Sequence, residues 1–462
     1  MNIKILGAGK MVTGSCYSIS TKEEKILIDC GMFQGGKDTE RLNYEDFAFN
    51  PGEYDALILT HAHLDHCGRI PKLVKYGFRG KIFATDATRD LAFIIMMDSA
   101  NIAKKDTEKE NERRAREGLP PRKPLYNEIE VKAAMKMFEV VEYDEDVKIT
   151  SNIIARFYDA GHILGASSVE LRVKEGKKKT LISFSGDLGQ KESVIVNNTE
   201  PILKSDYIFI ESTYGDRLHP EIEEREKEFA RIINDSYKKG GKLMIPSFAV
   251  ERTQELLYCI GKFLKQGIIP KMEVYLDSPM AIKATEVFSK YSKYYNQDLL
   301  KSMKTQKDVF DFPGLVYTRT TDESKALNDI RRPCIIIAGN GMCSAGRIKH
   351  HIRNSISNKN NTLLFVGFQA EGTLGSWLKK GEKRVRLLGT EVNVNAKIES
   401  IDGFSAHADY KELIAWLKNF KPIPRGIFIT HGEEAQALAF SKRIAKEGFT
   451  SYVPSMNEEI EI

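Results

Sequence analysis

Short apolar runs, separated by Gly, Asp and Ser, dominate the first half of the chain, and few of them show helical spacing. Their Ile, Val, Leu, Phe and Tyr content is typical of strands in packed sheets. One longer pattern, at 88–117, predicts a helix that is apolar at first, then heavily charged, and ended by Gly118 and Pro120. The predicted strands are 3–6, 16–20, 25–29, 56–60, 81–85, 153–159, 168–173, 180–185 and 207–212.

From about residue 221 the pattern changes to strands and helices in alternation. The predicted helices are 221–239, 249–266, 279–295 and 346–357, and the predicted strands are 242–247, 272–277, 334–338 and 362–366. Such alternation is typical of a parallel α/β sheet. Because β-rich character returns after residue 389, the α/β block is predicted to be a domain inserted into the β-rich one.

The composition of the 462 residues is that of a globular chain, with 42 % hydrophobic and 29 % charged residues. At roughly 150 residues per domain, this length predicts two to four domains. The net charge of +5 permits a polyanionic partner without requiring one. No apolar run reaches the length of a membrane helix, and the six cysteines form no CxxC pair. We therefore expect a cytoplasmic chain with reduced, buried thiols and no membrane contact.

Three of the nine histidines fall within six residues, in the segment THAHLDHCG that follows a predicted strand. Residues two apart in an extended segment point the same way, so His61 and His63 can hold one metal ion. Asp65 and His66, at the turn into a helix, can face a second ion. Four more apolar runs, the last of them 426–430, are followed by an ionisable side chain: Asp29, His162, Asp187 and His431. Any one of these could be an ordinary polar residue at a strand end, but all four together with the histidine cluster indicate a site. Imidazole and carboxylate without thiolate favour zinc or a related first-row ion.

The motifs HAHLDH, AGH (160–162) and SGD (185–187), with Asp29, resemble those of the metallo-β-lactamase superfamily. The resemblance implies an αββα sandwich that binds two Zn²⁺ at the ends of its strands. It assigns His61, His63 and His162 to one zinc ion, Asp65, His66 and His431 to the other, and Asp187 to a bridging position. Asp29 would support a ligand without touching the metal.

FIESTYGDR (209–217), DGFSAHADY (402–410) and ITHGE (429–433) resemble motifs A, B and C of the β-CASP branch, which processes nucleic acids. PSFAVERTQE (246–255), AGNGMCSAGR (338–347) and AEGTLG (370–375) resemble segments of its inserted α/β domain. The resemblance implies a metallo-β-lactamase domain formed by 1–215 and closed by 391–462, with a β-CASP domain at 216–390. It is nearest to the cleavage-and-polyadenylation type of RNA endonuclease and its compact bacterial and archaeal relatives.

The implied function is a ribonuclease that hydrolyses RNA phosphodiester bonds with a water activated by two zinc ions. We favour an endonuclease over a 5′→3′ exonuclease, and a homodimer is plausible for the family. The catalytic residues would be Asp65, Asp187, Glu211 and His407, with Glu211 holding His407 as the general acid. Without the resemblance, Glu211 would be interpreted as an acidic residue at a strand end and His407 as a possible metal ligand.

Three further residues are candidates for binding substrate phosphate: Ser405, Gly341 and Ser344. For the glycine-rich loop at 339–346 the alternative is a plain strand-to-helix turn. His350 and His351, on the helix after that loop, are expected to face solvent. The charged segment 104–123 carries eight basic and five acidic residues. We interpret it as a solvated helix face, with contact to a phosphate backbone as the alternative.

Two other functions stay open at this point. A small-molecule hydrolase acting on a thioester or a lactam would use the same metals, although motifs A and B and the inserted domain argue against it. A non-catalytic RNA-processing scaffold would have lost metal ligands, whereas every ligand position is filled here.

Overall fold

The computed structural model describes residues 1–191, 193–303, 308–367, 369, 372–401 and 403–462. Two predicted motifs fall partly outside them, at Asp402 of DGFSAHADY and at residues 370–371 of AEGTLG. The chain forms two compact units. The first consists of Met1–Leu218 and His407–Ile462, and the second of His219–Ala406.

The strands, in chain order, are β1 (Asn2–Gly7), β2 (Cys16–Ser20), β3 (Lys25–Ile28), β4 (Ala56–Ile58), β5 (Lys81–Ala84), β6 (Phe138–Val140), β7 (Asp146–Lys148), β8 (Ile153–Asp159), β9 (Ser167–Glu175), β10 (Lys178–Phe184), β11 (Tyr207–Ile210), β12 (Lys242–Pro246), β13 (Glu273–Leu276), β14 (Leu315–Tyr317), β15 (Cys334–Ala338), β16 (Thr362–Phe365), β17 (Arg384–Leu387), β18 (Thr390–Asn393), β19 (Lys397–Ser400), β20 (Gly426–Ile429), β21 (Ser451–Tyr452) and β22 (Glu459–Glu461). The helices are α1 (Lys37–Arg41), α2 (Leu64–Cys67), α3 (Ile70–Lys75), α4 (Asp86–Arg116), α5 (Glu128–Met135), α6 (Ile222–Lys238), α7 (Arg252–Lys265), α8 (Pro279–Lys290), α9 (Gln297–Met303), α10 (Thr321–Ala326), α11 (Ile348–Ser355), α12 (Leu374–Lys379), α13 (Tyr410–Leu417) and α14 (Glu434–Lys446). Short 3₁₀ turns lie at Pro51–Glu53, Ser292–Tyr294 and Leu327–Asp329.

Two seven-stranded sheets pack face to face in the first unit. Their strand orders are β22-β1-β2-β3-β4-β5-β6 and β21-β20-β11-β10-β9-β8-β7. Ile26 and Ile28 of β3 lie in the core between the sheets, together with Phe157 and Phe184 from the opposite sheet. Because side chains alternate along a strand, Leu27 points to the other face, yet it is also fully buried. Both faces of this sheet are therefore covered.

Helices cover the outer face of the second sheet as well. Leu413 and Trp416 of α13 and Phe440 of α14 share a core with Ile208 and Ile427 of the sheet. Hydrophobic residues at helical spacing on these two segments are buried for this reason. The layers run helix, sheet, sheet, helix, which confirms the predicted αββα sandwich.

The second unit is built on a six-stranded sheet of order β14-β13-β15-β12-β16-β19, in which every pairing is parallel. Its central strand β15 has the sequence CIIIA and is buried throughout. An unbroken apolar run of this kind is typical of a strand covered on both faces by helices. The predicted parallel α/β domain is confirmed.

This sheet includes the segment after residue 390, because β19 pairs with β16. Which family domain each of the predicted segments 1–215, 216–390 and 391–462 represents stays a prediction. All six cysteines are buried free thiols, as expected. Within the described residues, no helix has the length and apolar character needed to cross a bilayer.

Candidate metal centre

The predicted metal ligands follow the carboxyl ends of strands in the first unit. Strands β3 and β4 are parallel neighbours in one sheet, and β10, β11 and β20 are parallel neighbours in the other. Parallel strands end at the same edge of a sheet, so the residues just after them come together. Strand β8 runs in the same direction as β10, because β9 between them is antiparallel to both. The residues that follow these strands are the predicted ligands His61 and His63 after β4, His162 after β8, Asp187 after β10 and His431 after β20, with Asp29 after β3 and Glu211 after β11 beside them.

A first group of donor atoms comes from His61, His63, His162 and Asp187. His63 Nδ1 lies 3.1 Å from both His61 Nε2 and His162 Nε2. Asp187 Oδ2 lies 3.4 Å from His61 Nε2 and 3.6 Å from His162 Nε2. Ligands about 2.0–2.2 Å from a tetrahedral ion are separated by about 3.3–3.6 Å. The four donors therefore fit one zinc-sized ion.

A second group comes from Asp65, His66 and His431. His66 Nε2 and His431 Nε2 are 3.2 Å apart, and Asp65 Oδ2 lies 3.4 Å from His431 Nε2. Asp187 Oδ1 is 3.4 Å from His66 Nε2, and it is buried without a hydrogen bond from any described residue. Leaving a buried carboxylate oxygen without a partner is costly. An ion beside Asp187 Oδ1 would remove that cost, so the residues fit a metal here too.

The protonation states favour metal binding at the first group. Burial lowers the pKa of His61 to about 3 and that of His63 to about 4, and it lowers the pKa of His162 as well. These imidazoles are neutral at pH 7, which is the form that binds metal. Burial also opposes ionisation of Asp187, but the surrounding histidines, His431 and His66 foremost, lower its pKa.

Asp29 holds the ring of His66 in position by accepting a hydrogen bond from it. Its Oδ2 accepts hydrogen bonds from His66 Nδ1 at 2.7 Å and from the Thr60 hydroxyl at 2.9 Å, and its Oδ1 accepts one from the Thr60 amide at 2.8 Å. The hydrogen bond at Nδ1 thereby directs Nε2 of His66 toward the second group of donor atoms. Asp29 has a left-handed backbone with φ of 59°, which costs about 1–3 kcal/mol in a residue other than glycine. These hydrogen bonds hold it in that conformation.

Two threonines that the sequence analysis missed orient further ligands. Thr60 Oγ1 lies 3.1 Å from His61 Nδ1, and Thr213 Oγ1 lies 3.2 Å from His431 Nδ1. The Thr213 hydroxyl also donates to the His431 carbonyl oxygen. A ligating histidine commonly uses its second ring nitrogen in this way. Thr60 directly precedes His61, which is the signal that could have identified it.

Glu211 and His407 form a pair beside the metal groups. His407 Nδ1 lies 3.1 Å from both carboxylate oxygens of Glu211 and 3.9 Å from Asp187 Oδ2. Glu211 is fixed by the amides of Leu188 and Thr213, which donate to its two oxygens. Burial alone would lower the pKa of His407, but Glu211 and Asp187 outweigh it and raise the pKa to about 9. The side chain of His407 is 19 % exposed, whereas that of Glu211 is fully buried.

The three candidate phosphate contacts belong to the second unit. Ser344 is exposed and its hydroxyl bonds to Asn340 Oδ1, whereas Ser405 is half-buried. A Cβ on Gly341 would lie 2.9 Å from the ring of Phe248, a side chain that is 46 % exposed, so a larger residue at 341 would displace that ring. His351, expected in solvent, is instead buried, and its Nε2 lies 2.5 Å from Asp277 Oδ2. His350 is exposed, as expected.

Three family models match the chain. The metallo-β-lactamase superfamily matches residues 10–80, the Beta-Casp domain matches 253–378, and the Zn-dependent metallo-hydrolase RNA specificity domain matches 391–454. These segments contain the HAHLDH motif, the glycine-rich loop and motifs B and C.

Similar proteins align over nearly the whole chain. A ribonuclease of Thermus thermophilus is 36 % identical, with 97 % of each chain covered. The transcription termination factor FttA of Methanocaldococcus jannaschii is 32 % identical over all of this chain and 72 % of its own length, and an RNase J-like protein of that organism is 33 % identical over 96 % and 95 %. A solved structure of a protein of unknown function from Enterococcus faecalis shares the fold, with 12 % identity, a TM-score of 0.55 and coverage of 100 % and 99 %. The chain therefore belongs to the β-CASP branch of the metallo-β-lactamase superfamily.

Proposed function

We propose that this protein is a metal-dependent ribonuclease that hydrolyses phosphodiester bonds of RNA. The observation that carries the proposal is the arrangement of two groups of metal donors around Asp187, with the His407–Glu211 pair beside them. Related proteins of nearly the same length include a ribonuclease and an RNase J-like protein, which supports RNA as the substrate.

Two Zn²⁺ ions are the proposed cofactors. His61, His63 and His162 would hold one ion and Asp65, His66 and His431 the other, with Asp187 contributing to both. When bound, such ions make an activated water available at neutral pH and offset the negative charge of the phosphate. Asp29 would act on His66 as a positioning residue.

His407 is the proposed general acid. Glu211 faces Nδ1 of the ring, so Nε2 is the nitrogen that can deliver a proton. As water adds to phosphorus and the phosphorus–oxygen bond breaks, the leaving oxygen takes this proton. The raised pKa keeps the ring protonated at neutral pH until that step. General acid catalysis of this kind contributes about 10²–10⁴-fold to the rate.

Several finer assignments belong to the same proposal. We favour an endonuclease, and we assign phosphate binding to Ser405, Gly341 and Ser344. The segment 216–390 is proposed as the β-CASP domain, between the two parts of the metallo-β-lactamase domain at 1–215 and 391–462. A cytoplasmic location and a homodimer stay predictions.

The test is cleavage of one labelled RNA by zinc-loaded protein, with the RNA supplied as a 5′ monophosphate, a 5′ triphosphate and a closed circle. Cleavage of the circle is expected, because an endonuclease needs no free end. Cleavage of linear RNA only, sensitive to the 5′ group, would indicate an exonuclease. Failure of a fully metallated protein to cut any of the three would contradict the proposal and favour a small-molecule hydrolase.

Two variants separate the proposed roles. His407→Ala should retain its zinc and lose about 10²–10⁴-fold in rate. Asp187→Ala should lose both zinc and activity. Metal content is measured on the same samples, and loss of zinc from His407→Ala would show that His407 is a metal ligand instead.

A further inference from the structure

The second half of helix α4 is separate from the core of the first unit. Buried residues occur in α4 only up to Ala100, and from Asn101 to Arg116 every side chain is exposed or half-buried. At 1.5 Å per residue this half is about 24 Å long. Packing against the core therefore does not account for this half of the helix, and we expect its exposed surface to have a role of its own.

The loop after the helix folds back and is fastened to it. The Asn111 side chain donates to the Arg122 carbonyl oxygen and accepts from the Arg122 amide, at 2.9 and 2.7 Å. Arg114 Nε donates to the Pro120 carbonyl oxygen at 2.7 Å. The loop is therefore held on a fixed frame, and a partner would meet a prearranged surface, which lowers the entropy lost on binding.

Charge is distributed unevenly along this segment. Residues 104–112 carry three basic and four acidic residues, the balanced mixture of a solvated helix face. Residues 113–123 carry five basic residues and one acidic residue. Arg113 pairs with both nearby acids, Glu110 and Glu117.

The four other cations of this stretch have no carboxylate oxygen within 4 Å among the described residues. They are Arg114, Arg116, Arg122 and Lys123. These four cations lie on one fastened helix-and-loop segment without a carboxylate partner, and a polyanion would neutralise their charge. A solvated face accounts for residues 104–112 but not for this stretch.

We propose that residues 113–123, the basic tip of α4, form a docking surface for the phosphate backbone of an RNA strand. The choice of RNA rests on the proposed function, and the excess of cations without a carboxylate partner within 4 Å supplies the charge complementarity. Such contacts do not depend on sequence. The basic tip would bind a part of a long RNA that lies away from the nucleotides bound at the metal centre.

The test compares two triple variants that lose the same charge. One removes cations of the tip, as Arg116→Ala, Arg122→Ala and Lys123→Ala. The matched control removes Lys104, Lys105 and Lys109 from the balanced half of the same helix, also by change to Ala. Ala favours helix, so both variants should keep α4, which circular dichroism checks.

Binding is measured in an Asp187→Ala background with a single-stranded RNA of about 30 nucleotides over a range of salt concentrations. The logarithm of the binding constant falls linearly with the logarithm of the salt concentration, by about 0.7 for each phosphate contact on a single strand. Loss of three contacts should therefore make this line less steep by about 2 and weaken binding about tenfold at low salt. The control variant should retain the original slope. An unchanged slope for the tip variant, or an equal change in the control, would overturn the proposal.

Cleavage of an RNA of about 8 nucleotides by otherwise wild-type protein keeps the two proposals apart. The tip variant should cut this short RNA at the normal rate. If the protein cuts it but the tip variant binds long RNA normally, the docking surface is wrong and the ribonuclease stands. If no RNA is cut while binding still depends on the tip, the ribonuclease is wrong and the surface stands.

Discussion

Asp277 illustrates at the scale of a single residue how a buried charge is held in the second unit. It is fully buried, and its carboxylate accepts hydrogen bonds from Thr318, Ser324, Arg347 and His351 at 2.5–2.7 Å. Burial by itself would raise the pKa of Asp277, but these groups, His351 foremost, lower it to about 2. The ion pairs thus satisfy a charge that could not otherwise remain inside the protein.

We expect Asp277→Ala to lower the free energy of unfolding by about 3–5 kcal/mol, because it leaves Arg347 and His351 without their carboxylate. Chemical denaturation at pH 7 measures the loss. Asp277→Asn keeps the shape and serves as the milder control. A lowered pKa means that the ionised carboxylate adds stability above its ordinary value of 3.8, and that this is lost as the pH falls toward 2. The difference between wild type and Asp277→Asn should therefore shrink between pH 4 and pH 2.

Asp29 is the residue whose effect on the metal centre can be tested without touching a ligand. Asp29→Ala should weaken zinc binding about 10–100-fold, because His66 loses the acceptor that orients it. Competition with a chelating dye measures the affinity. Asn tolerates the left-handed backbone and can accept the same hydrogen bond, so Asp29→Asn should lose less. Equal zinc affinity in wild type and Asp29→Ala would contradict the positioning role.

At the scale of elements, helix α4 is tied to the loop that carries His162. Thr85 caps the helix by accepting from the Thr88 amide, and both threonine hydroxyls donate to the Gly165 carbonyl oxygen at 2.8 Å. Gly165 has φ of 79°, and a Cβ there would lie 2.6 Å from Thr85 Oγ1. The start of the helix and the ligand loop are therefore fixed together.

Thr85→Ala should lower the free energy of unfolding by about 1–2 kcal/mol through loss of the cap. Thr85→Ser retains the hydroxyl and is the matched control. Urea denaturation of both variants provides the comparison. A loss as large in the serine variant as in the alanine variant would attribute the effect to the methyl group and not to the cap.

At the scale of the whole molecule, metal binding is expected to stabilise the first unit, because the ligands come from both of its sheets. The two tryptophans of the chain allow each unit to be followed separately. Trp416 is buried in the first unit and Trp377 is half exposed in the second. Trp377→Phe therefore leaves a fluorescent reporter in the first unit, and Trp416→Phe leaves one in the second.

Removal of metal by a chelator should lower the unfolding temperature reported by Trp416. A free metal concentration a thousandfold above Kd corresponds to about 4 kcal/mol of stabilisation. The transition reported by Trp377 should move much less. Equal shifts in both variants would mean that the units unfold together, and no shift in either would argue against a bound metal.

Some features of the candidate site could be predicted from the sequence and others could not. The spacing of His61, His63 and His66 indicated a metal site because imidazoles two apart on an extended segment face the same way. The contact of Thr213 with His431 and the burial of His351 against Asp277 could not be predicted, since each depends on a partner distant along the chain. A threonine or histidine looks the same in sequence whether it faces solvent or a buried carboxylate.

The sequence by itself determined the family, the layered fold and the candidate metal donors, because apolar periodicity and dense ligand motifs are local properties. Tertiary structure decided which of the candidate donor atoms lie close enough together to hold an ion. It also placed Glu211 behind His407, 196 residues away. These are distances between atoms on different strands, fixed only when two sheets pack through a common core.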